Sequence, residues 1–356
     1  MRAALTTKDG TLTVTDVPDP VPLDGQLLVR TLACGICGSD LHALADPEGF
    51  METTRRSGGT PYDPRDGLVF GHEFAAEIVD FGPGTERSLP VGTAVCGPPI
   101  ALGPQGAGIV GYAPMFPGGY GEYMILNEGL AMPVPDGLDP RVAAITEPFS
   151  VGGRAVARSG IASGDVAVVL GLGPIGLGVV AQLKARGHGP VIAADFSPRR
   201  RALAEALGAD EVVDPAVASP YTRWTEFGVP VTTVDRIAAE MFGTAPRGAV
   251  IFECVGVPGV LRQVIDGAPA GATVMLVGVC MQPDTVEPGV AAAKEITVRG
   301  TFGAMPEEYR ATLGDIGAGR IDAGSIITGE VGLSGLDQAF RDLADPERHA
   351  KIIVRP

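Results

Sequence analysis

The stretch CGICGSDLHAL at residues 34–44 places two cysteines, an aspartate and a histidine within a few positions of one another. These residue types exchange disulfides, hold borderline-soft metal ions or pass protons. Two further clusters carry related chemistry: His72 and Glu73 in GHEF at 71–74, and Glu147 in EPFS at 147–150. Cys37, His72 and a carboxylate, Glu73 or Glu147 or both, make a zinc set of one sulfur, one nitrogen and one or two oxygens. Three protein ligands with a position left open mark a catalytic ion, not a structural one. Other readings of each residue are ordinary. Cys34 and Cys37 fit a thioredoxin-like C-x-x-C pair, but no βαβ pattern surrounds them. They fit half of a structural metal clamp, but no second C-x-x-C exists. Cys34 taken alone is a small buried hydrophobe. An isolated histidine is usually structural, and isolated glutamates usually sit at the surface. Only the set as a whole, beside a dinucleotide fold, overturns those readings.

GLGPIG at 171–176 matches G-x-G-x-x-G through Gly171, Leu172, Gly173, Pro174, Ile175 and Gly176. The pattern alone is weak, but here it follows a buried strand and opens a helix. Gly171 permits the tight turn, Gly173 lets a pyrophosphate reach the backbone, and Gly176 lets helix and strand pack closely. The helix start then offers free N–H groups to phosphate. Asp195, about twenty residues further on, suits the ribose hydroxyls of NAD and repels the extra phosphate of NADP. Arg199, Arg200 and Arg201 follow it, and an arginine there is able to hold a 2′-phosphate. With Asp195 in place, NAD is the favoured cofactor.

The elements that must position these residues fall into two textures. The first 150 residues carry short β-like runs, LLVRTLA, FAAEIVDFG and YGEYMIL, broken by Gly and Pro, which predicts a mostly-β domain. From Asp165 the pattern alternates: VAVVL, the helix IGLGVVAQLKA closed by Gly187, VIAAD, RALAEALGA, DEVVD, AVIFECVG and ATVMLVGV. Such alternation predicts a parallel sheet with helices on both faces, an α/β unit. It stops near Lys294. The expected division is therefore 1–150, 151–293 and a C-terminal return over 294–356 to the first domain. Residues 45–68 and 215–231 read as irregular surface excursions, the second holding Trp224, the only tryptophan.

Composition bounds the partners. The chain of 356 residues is long enough for two domains. Its net charge of −15 argues against nucleic acid or an anionic membrane surface. No apolar run reaches the roughly 18 residues of a membrane span, and the N-terminus lacks the features of a secretory signal. A cytoplasmic location is the expectation. Five cysteines in so long a chain do not form a disulfide framework.

With these motifs in hand, the chain resembles the zinc-dependent alcohol dehydrogenases of the medium-chain dehydrogenase/reductase family over nearly its whole length. The resemblance rests on CGICGSDLH, GHEFAAEIVDFGPG, GGYGEY, EPFSVGGRAV, GLGPIG and ECVG, in the family's order. It implies a GroES-like catalytic domain with an inserted Rossmann domain and the active site between them. It makes Cys37, not Cys34, the thiolate ligand and His72 the second ligand, with Glu73 or Glu147 completing the set. It places Asp40 as the acid that orients the ligand histidine, a contact that fixes a tautomer. Ser39 and His42 match its proton-relay positions, and Arg200 meets the adenosine ribose. Val255, Gly256, Val277 and Gly278 complete the implied cofactor contacts. There are departures. The four-cysteine lobe that binds a structural zinc in many relatives is reduced here to Cys96, so one zinc per chain is expected. Gly38 and Val151 replace polar residues common in alcohol-specific members, and the 45–68 loop is longer.

The implied activity is reversible oxidation of an alcohol, polyol or sugar to a carbonyl compound, with hydride transfer to NAD. Zinc lowers the pKa of bound water from about 16 to about 7, so the metal outweighs any side-chain base. The family implies a homodimer or homotetramer. Two rival readings stand beside this one: a zinc-free NAD(P)H-dependent reductase of the same fold, and a non-catalytic nucleotide-binding redox sensor. Pocket shape is expected to depend on residues 45–68, on 112–120 and on positions near Thr301.

Overall fold

The computed structural model of the chain describes residues 1–104, 106–243 and 245–356. It divides into two compact units. One holds Met1–Glu147, Met305–Gly319 and Ala323–Pro356; the other holds Pro148–Ala304 and Arg320–Asp322.

The first unit opens with the hairpin β1 (Arg2–Thr6) and β2 (Leu12–Asp16), followed by the long strand β3 (Gln26–Gly35). Helices α1 (Gly38–Ala45) and α2 (Pro47–Arg56) precede β4 (Glu73–Phe81) and β5 (Ala94–Cys96). A hairpin of β6 (Ile100–Gly103) and β7 (Gly106–Ile109) leads to β8 (Tyr123–Asn127), β9 (Met132–Pro133), α3 (Pro140–Ala144) and α4 (Thr146–Ser159). Residues 45–68 are thus not wholly irregular. Asp46 accepts a hydrogen bond from the Gly49 amide at 3.0 Å and Pro47 occupies the first turn, so D-P-E starts α2. The Gly- and Pro-rich stretch after Arg56 had masked that signal.

The second unit begins its sheet with β10 (Val166–Leu170), α5 (Pro174–Ala185), β11 (Val191–Ala194), α6 (Pro198–Ala206) and β12 (Glu211–Val213). After α7 (Thr233–Met241) come β13 (Ala249–Glu253), α8 (Val260–Gly267), β14 (Thr273–Leu276), α9 (Pro288–Ala293) and β15 (Thr297–Gly300). All six strands are parallel in the order β12-β11-β10-β13-β14-β15. That is the doubly wound dinucleotide-binding order, which reverses between β10 and β13. Every residue of β10, β11 and β13 is buried, as strands covered on both faces require. One expectation fails here. The strand in ITVRGTF joins this parallel sheet as β15, so the alternation runs past Lys294 and the 293/294 boundary falls one strand early. Residues 215–231 hold no helix or strand and are mostly exposed, as expected, but Trp224 within them is buried. It is 3% exposed, and its indole N–H donates to the Gly267 carbonyl at 2.9 Å, anchoring its segment to the core of Val166, Ile251 and Val274.

The chain then returns to the first unit through α10 (Pro306–Gly317), β16 (Ile327–Gly332), α11 (Leu336–Leu343) and β17 (Lys351–Arg355). Strand β17 pairs with β3, completing a sheet ordered β16-β17-β3-β4-β5-β9 with β8 also on β3. Leu27, Val29, Phe74, Ile78, Met124 and Ile352 form its core. Among the described residues, no helix is long and apolar enough to cross a membrane.

Candidate functional site

Sheet register assembles the first site. In the antiparallel β3–β4 pair, Gly35 lies opposite Glu73, and in the β17–β3 pair Gly35 lies opposite Ile353. One position of β3 therefore gathers three distant segments. A side chain at Gly35 would put its Cβ 2.1 Å from Glu73 Oε2, so only glycine admits the glutamate there. Two residues on, Cys37 caps α1 with an extended backbone. Cys37, His72 and Glu73 each turn a ligand atom inward, and these three atoms lie within 4.8 Å of one another. The expected trio is brought together, and its donor types suit zinc. Cys34 is fully buried in the core, with Gly71 and Gly119 packed against its sulfur.

The charges at this group are unusual for an interior. Glu73 is 0% exposed, and both its oxygens accept from Lys351 Nζ at 2.8 and 2.6 Å; the same ammonium donates to the Ile36 carbonyl at 2.8 Å. Burial pushes the Cys37 thiol up, and Glu73 adds to the rise. Burial works against an imidazolium at His72, but Cys37 and Asp40 outweigh it and raise His72 well above its ordinary value. Glu147, in the first turn of α4, is nearly buried, and burial pushes its carboxyl up to about 7, with His72 opposing and Glu73 reinforcing. Two acids and a thiol, donors of the kind that hold a cation, thus gather around Lys351 and His72.

Asp40 stands behind His72. Its carboxylate is fully buried and accepts from Tyr120 Oη and Tyr112 Oη, both at 2.7 Å, and weakly from the Cys37 amide at 3.4 Å. Burial would raise this carboxyl, but His72 and the two phenols outweigh it and hold it below the usual range. His72 Nδ1 lies 3.5 Å from Asp40 Oδ1, too far for a good hydrogen bond, and has no other partner among the described residues. Ser39 Oγ donates to Cys37 Sγ at 3.1 Å and meets Tyr112 Oη at 2.8 Å. His42 is exposed on α1, three residues from Ser39 and so on the same face.

The second unit carries the nucleotide loop. Gly171, with φ of +82°, directly follows β10; Gly173 caps α5, and Pro174 occupies its first turn. A Cβ at Gly176 would sit 1.9 Å from the Gly171 carbonyl oxygen, whereas one at Gly173 would meet open space. Helix and strand pack tightly at one glycine, and the other leaves the turn accessible, with Leu172 and Ile175 between them. Asp195 directly follows β11. Its Oδ2 accepts from the Leu172 amide at 2.7 Å and its Oδ1 from the Ser197 amide at 2.8 Å. Each oxygen keeps a free lone pair. Arg200 is half-buried with a guanidinium nitrogen 3.8 Å from Asp195. Arg199 is exposed, and Arg201 is taken up by the Asp195 and Phe196 carbonyls and by Asp214. Glu253 ties the neighbouring turns: its Oε1 accepts from Val255 and Gly256, and its carbonyl from Val277 and Gly278. These turns lie at the carboxyl ends of β13 and β14, beside the reversal of strand order, where such sheets bind ligands.

Comparison with known proteins agrees with both halves. A family model described as the alcohol dehydrogenase GroES-like domain matches residues 23–136, and one described as the zinc-binding dehydrogenase matches 174–316. The chain is 32% identical to (R,R)-butanediol dehydrogenase of Bacillus subtilis (strain 168), the alignment covering 100% of both chains. It belongs to the zinc-dependent alcohol dehydrogenase-like proteins of the medium-chain dehydrogenase/reductase family. Among solved structures, 2R,3R-butanediol dehydrogenase from Bacillus subtilis superposes on this dehydrogenase with a TM-score of 0.82 at 30% identity, over 100% of this chain and 99% of that one. A zinc-binding dehydrogenase from Sinorhizobium meliloti 1021 bound to NADP gives 0.79 at 28%, over 100% and 99%. The fold is thus a GroES-like domain with a Rossmann domain inserted, and the protein is an oxidoreductase of the alcohol dehydrogenase type.

Sequence reasoning missed four residues packed around this dehydrogenase's candidate metal group. Tyr120 lay inside the quoted GGYGEY without a role. Tyr112 and Phe50 lay in the two segments expected to shape the pocket; here Tyr112 packs its ring 5.3 Å from both Phe50 and His72. Lys351 had no signal at all, since a lysine at the start of a short apolar run reads as surface until the pairing of β17 with β3 buries it.

Proposed function

We propose that this protein is a zinc- and NAD-dependent dehydrogenase of secondary alcohols in small diols or polyols. The observation that carries the proposal is the convergence of Cys37, His72 and Glu73 ligand atoms within 4.8 Å. Cys37 and His72 would hold the ion, with Glu73 as third ligand; Lys351 takes only part of the lone pairs of that carboxylate. An Nδ1 facing Asp40 leaves Nε2 of His72 for the metal. Glu147, whose proton is held at about 7, would ionise beside a divalent ion and position its water. Bound zinc supplies Lewis-acid stabilisation of charge on oxygen, and bound NAD accepts the hydride. Ser39 and His42, sharing one face of α1, would move the alcohol proton toward solvent, His42 being the exposed end.

In the other unit, the α5 start between Gly171 and Gly176 would receive the pyrophosphate. Asp195 and Arg200 would take the adenosine ribose, and Val255, Gly256, Val277 and Gly278 would border the rest of the cofactor. NAD is favoured because Arg200 faces Asp195 and Arg201 is engaged elsewhere, leaving the carboxylate dominant. One zinc per chain follows from the β6–β7 hairpin standing in place of a cysteine lobe, with Cys96 buried on β5. A small diol follows from the likeness to butanediol dehydrogenase. A cytoplasmic location accompanies this reading. Strand β15 is an edge strand exposed at every position, with Val298 and Phe302 facing solvent, and a second copy of this edge would pair with it in a homodimer. Metal analysis together with a panel of alcohols, vicinal diols and sugars, offered with NAD or NADP, tests the reading. The expected result is one zinc per chain and the fastest NADH formation with a vicinal diol. Metal-free protein with full activity would point instead to the zinc-free reductase, and tight NAD binding without turnover of any alcohol to the redox sensor.

A further inference from the structure

Four atoms lie in a row beside the metal ligands: Cys37 Sγ, Ser39 Oγ, Tyr112 Oη and Asp40 Oδ1. Consecutive separations are 3.1, 2.8 and 2.7 Å. The row has three contacts and only two protons, one on each hydroxyl, because a thiolate and a carboxylate accept without donating. One contact is always left without a proton. Three arrangements follow. In one, both hydroxyls donate outward to the anionic ends, Ser39 to the sulfur and Tyr112 to Asp40, with no proton between the two oxygens. In a second, Tyr112 donates to Ser39 and Ser39 donates to the sulfur. In the third, Ser39 donates to Tyr112 and Tyr112 donates to Asp40, and the sulfur loses its hydrogen bond.

We propose that Tyr112 is a positioning residue that decides whether Ser39 gives its proton to the Cys37 sulfur, so that the thiolate and the acid behind His72 compete for one hydrogen-bond chain. This rests on the reading above that Cys37 ligates a metal. A sulfur that accepts the Ser39 hydrogen bond donates less charge to its ion than one that does not. The phenol is aimed by packing: its ring sits 5.3, 5.4 and 5.3 Å from those of Phe50, Phe70 and His72. Asp40 does not depend on Tyr112 alone, because Tyr120 donates separately to Oδ2 at 2.7 Å. The phenol is therefore free to turn toward Ser39.

Cobalt(II)-substituted holoenzyme reports the sulfur directly through its thiolate-to-metal charge-transfer band. Tyr112→Phe keeps the ring and leaves Ser39 one acceptor, so the band moves to higher energy. Ser39→Ala removes the donor and moves the band to lower energy. The double variant coincides with Ser39→Ala, since without Ser39 the phenol has no route to the sulfur. Tyr120→Phe, which takes a phenol from the same acid without touching Ser39, leaves the band in place, and a thermal melt of each variant confirms folding. A Tyr112→Phe band unmoved from wild type, or one moved equally by Tyr120→Phe, overturns the proposal while the metal assignment stands. Absence of any band that Cys37→Ser abolishes overturns the metal assignment, and this proposal with it.

Discussion

The two units build their sites in opposite ways. In the nucleotide unit, the turn, the helix start and the packing glycine come from one run of six residues, and Asp195 directly follows the next strand. The surrounding strands are buried at every position and apolar except for Glu253. In the other unit, the residues of the candidate metal site, Cys37, His72, Glu147 and Lys351, come from four segments spread across the chain, and Lys351 neutralises the buried Glu73. A site made by local geometry tolerates change elsewhere in its fold. A site made by register and by buried charge balance fails when any contributing segment shifts.

That contrast predicts graded outcomes. The largest effect belongs to Cys37→Ser, expected to cost well over about 100-fold in turnover and metal affinity while NAD affinity stays near wild type. A matching fall in NAD affinity by calorimetry would show that the two sites are not separately built. Next is Lys351→Met, which leaves Glu73 as an uncompensated buried charge and should cost about 3–5 kcal/mol of stability in denaturant titration. A loss within experimental error would mean that Glu73 takes up a proton or finds water instead.

The acid at Glu147 gives a pH test. Its folded pKa of about 7 lies above the unfolded value of 4.5. Stability from this group is therefore fully present below pH 4.5 and is lost as pH rises through about 7. The loss is at most about 3 kcal/mol at 1.36 kcal/mol per unit. Melts of chelated protein should show this decline, Glu147→Gln should flatten it, and added zinc should oppose it. An identical pH profile in wild type and Glu147→Gln would remove the acid from the charge cluster.

Smaller effects sharpen the nucleotide side. Gly176→Ala should lose about 1–3 kcal/mol of stability through its clash with the Gly171 carbonyl. Gly173→Ala should fold within about 1 kcal/mol of wild type and lose NADH affinity by fluorescence titration. Equal melting points for the two would undo the distinction between packing and binding glycines. Asp195→Asn should reduce the preference for NAD over NADP by about tenfold. Unchanged selectivity would mean that the ribose is read elsewhere.

Much of this was open to inspection before any coordinates. G-x-G-x-x-G after an apolar pentapeptide, and the repeating strand and helix texture, depend on neighbours within one or two turns, so periodicity and turn chemistry expose them. The convergence of Cys37 with His72 was inferable only from residue type and the family's motif order. The helix at 47–56 was hidden behind Gly and Pro, although Asp46 and Pro47 announced it. The burial of Trp224 was not foreseen and β15 was misjudged, because burial and sheet membership depend on partners far along the chain.

By itself, the order of residues determined the dinucleotide turn, the alternation that forces a parallel sheet, and the inventory of sulfur, imidazole and carboxylate donors. Only the tertiary structure decided which donors meet. Gly35 must face Glu73 across β3 and β4, and β17 must return beside β3, before Lys351 can balance a buried acid and two tyrosines can reach Asp40. The reason is physical: backbone turns and helix starts are set by short-range sterics and hydrogen bonds, whereas pairing register is chosen by the burial of whole faces.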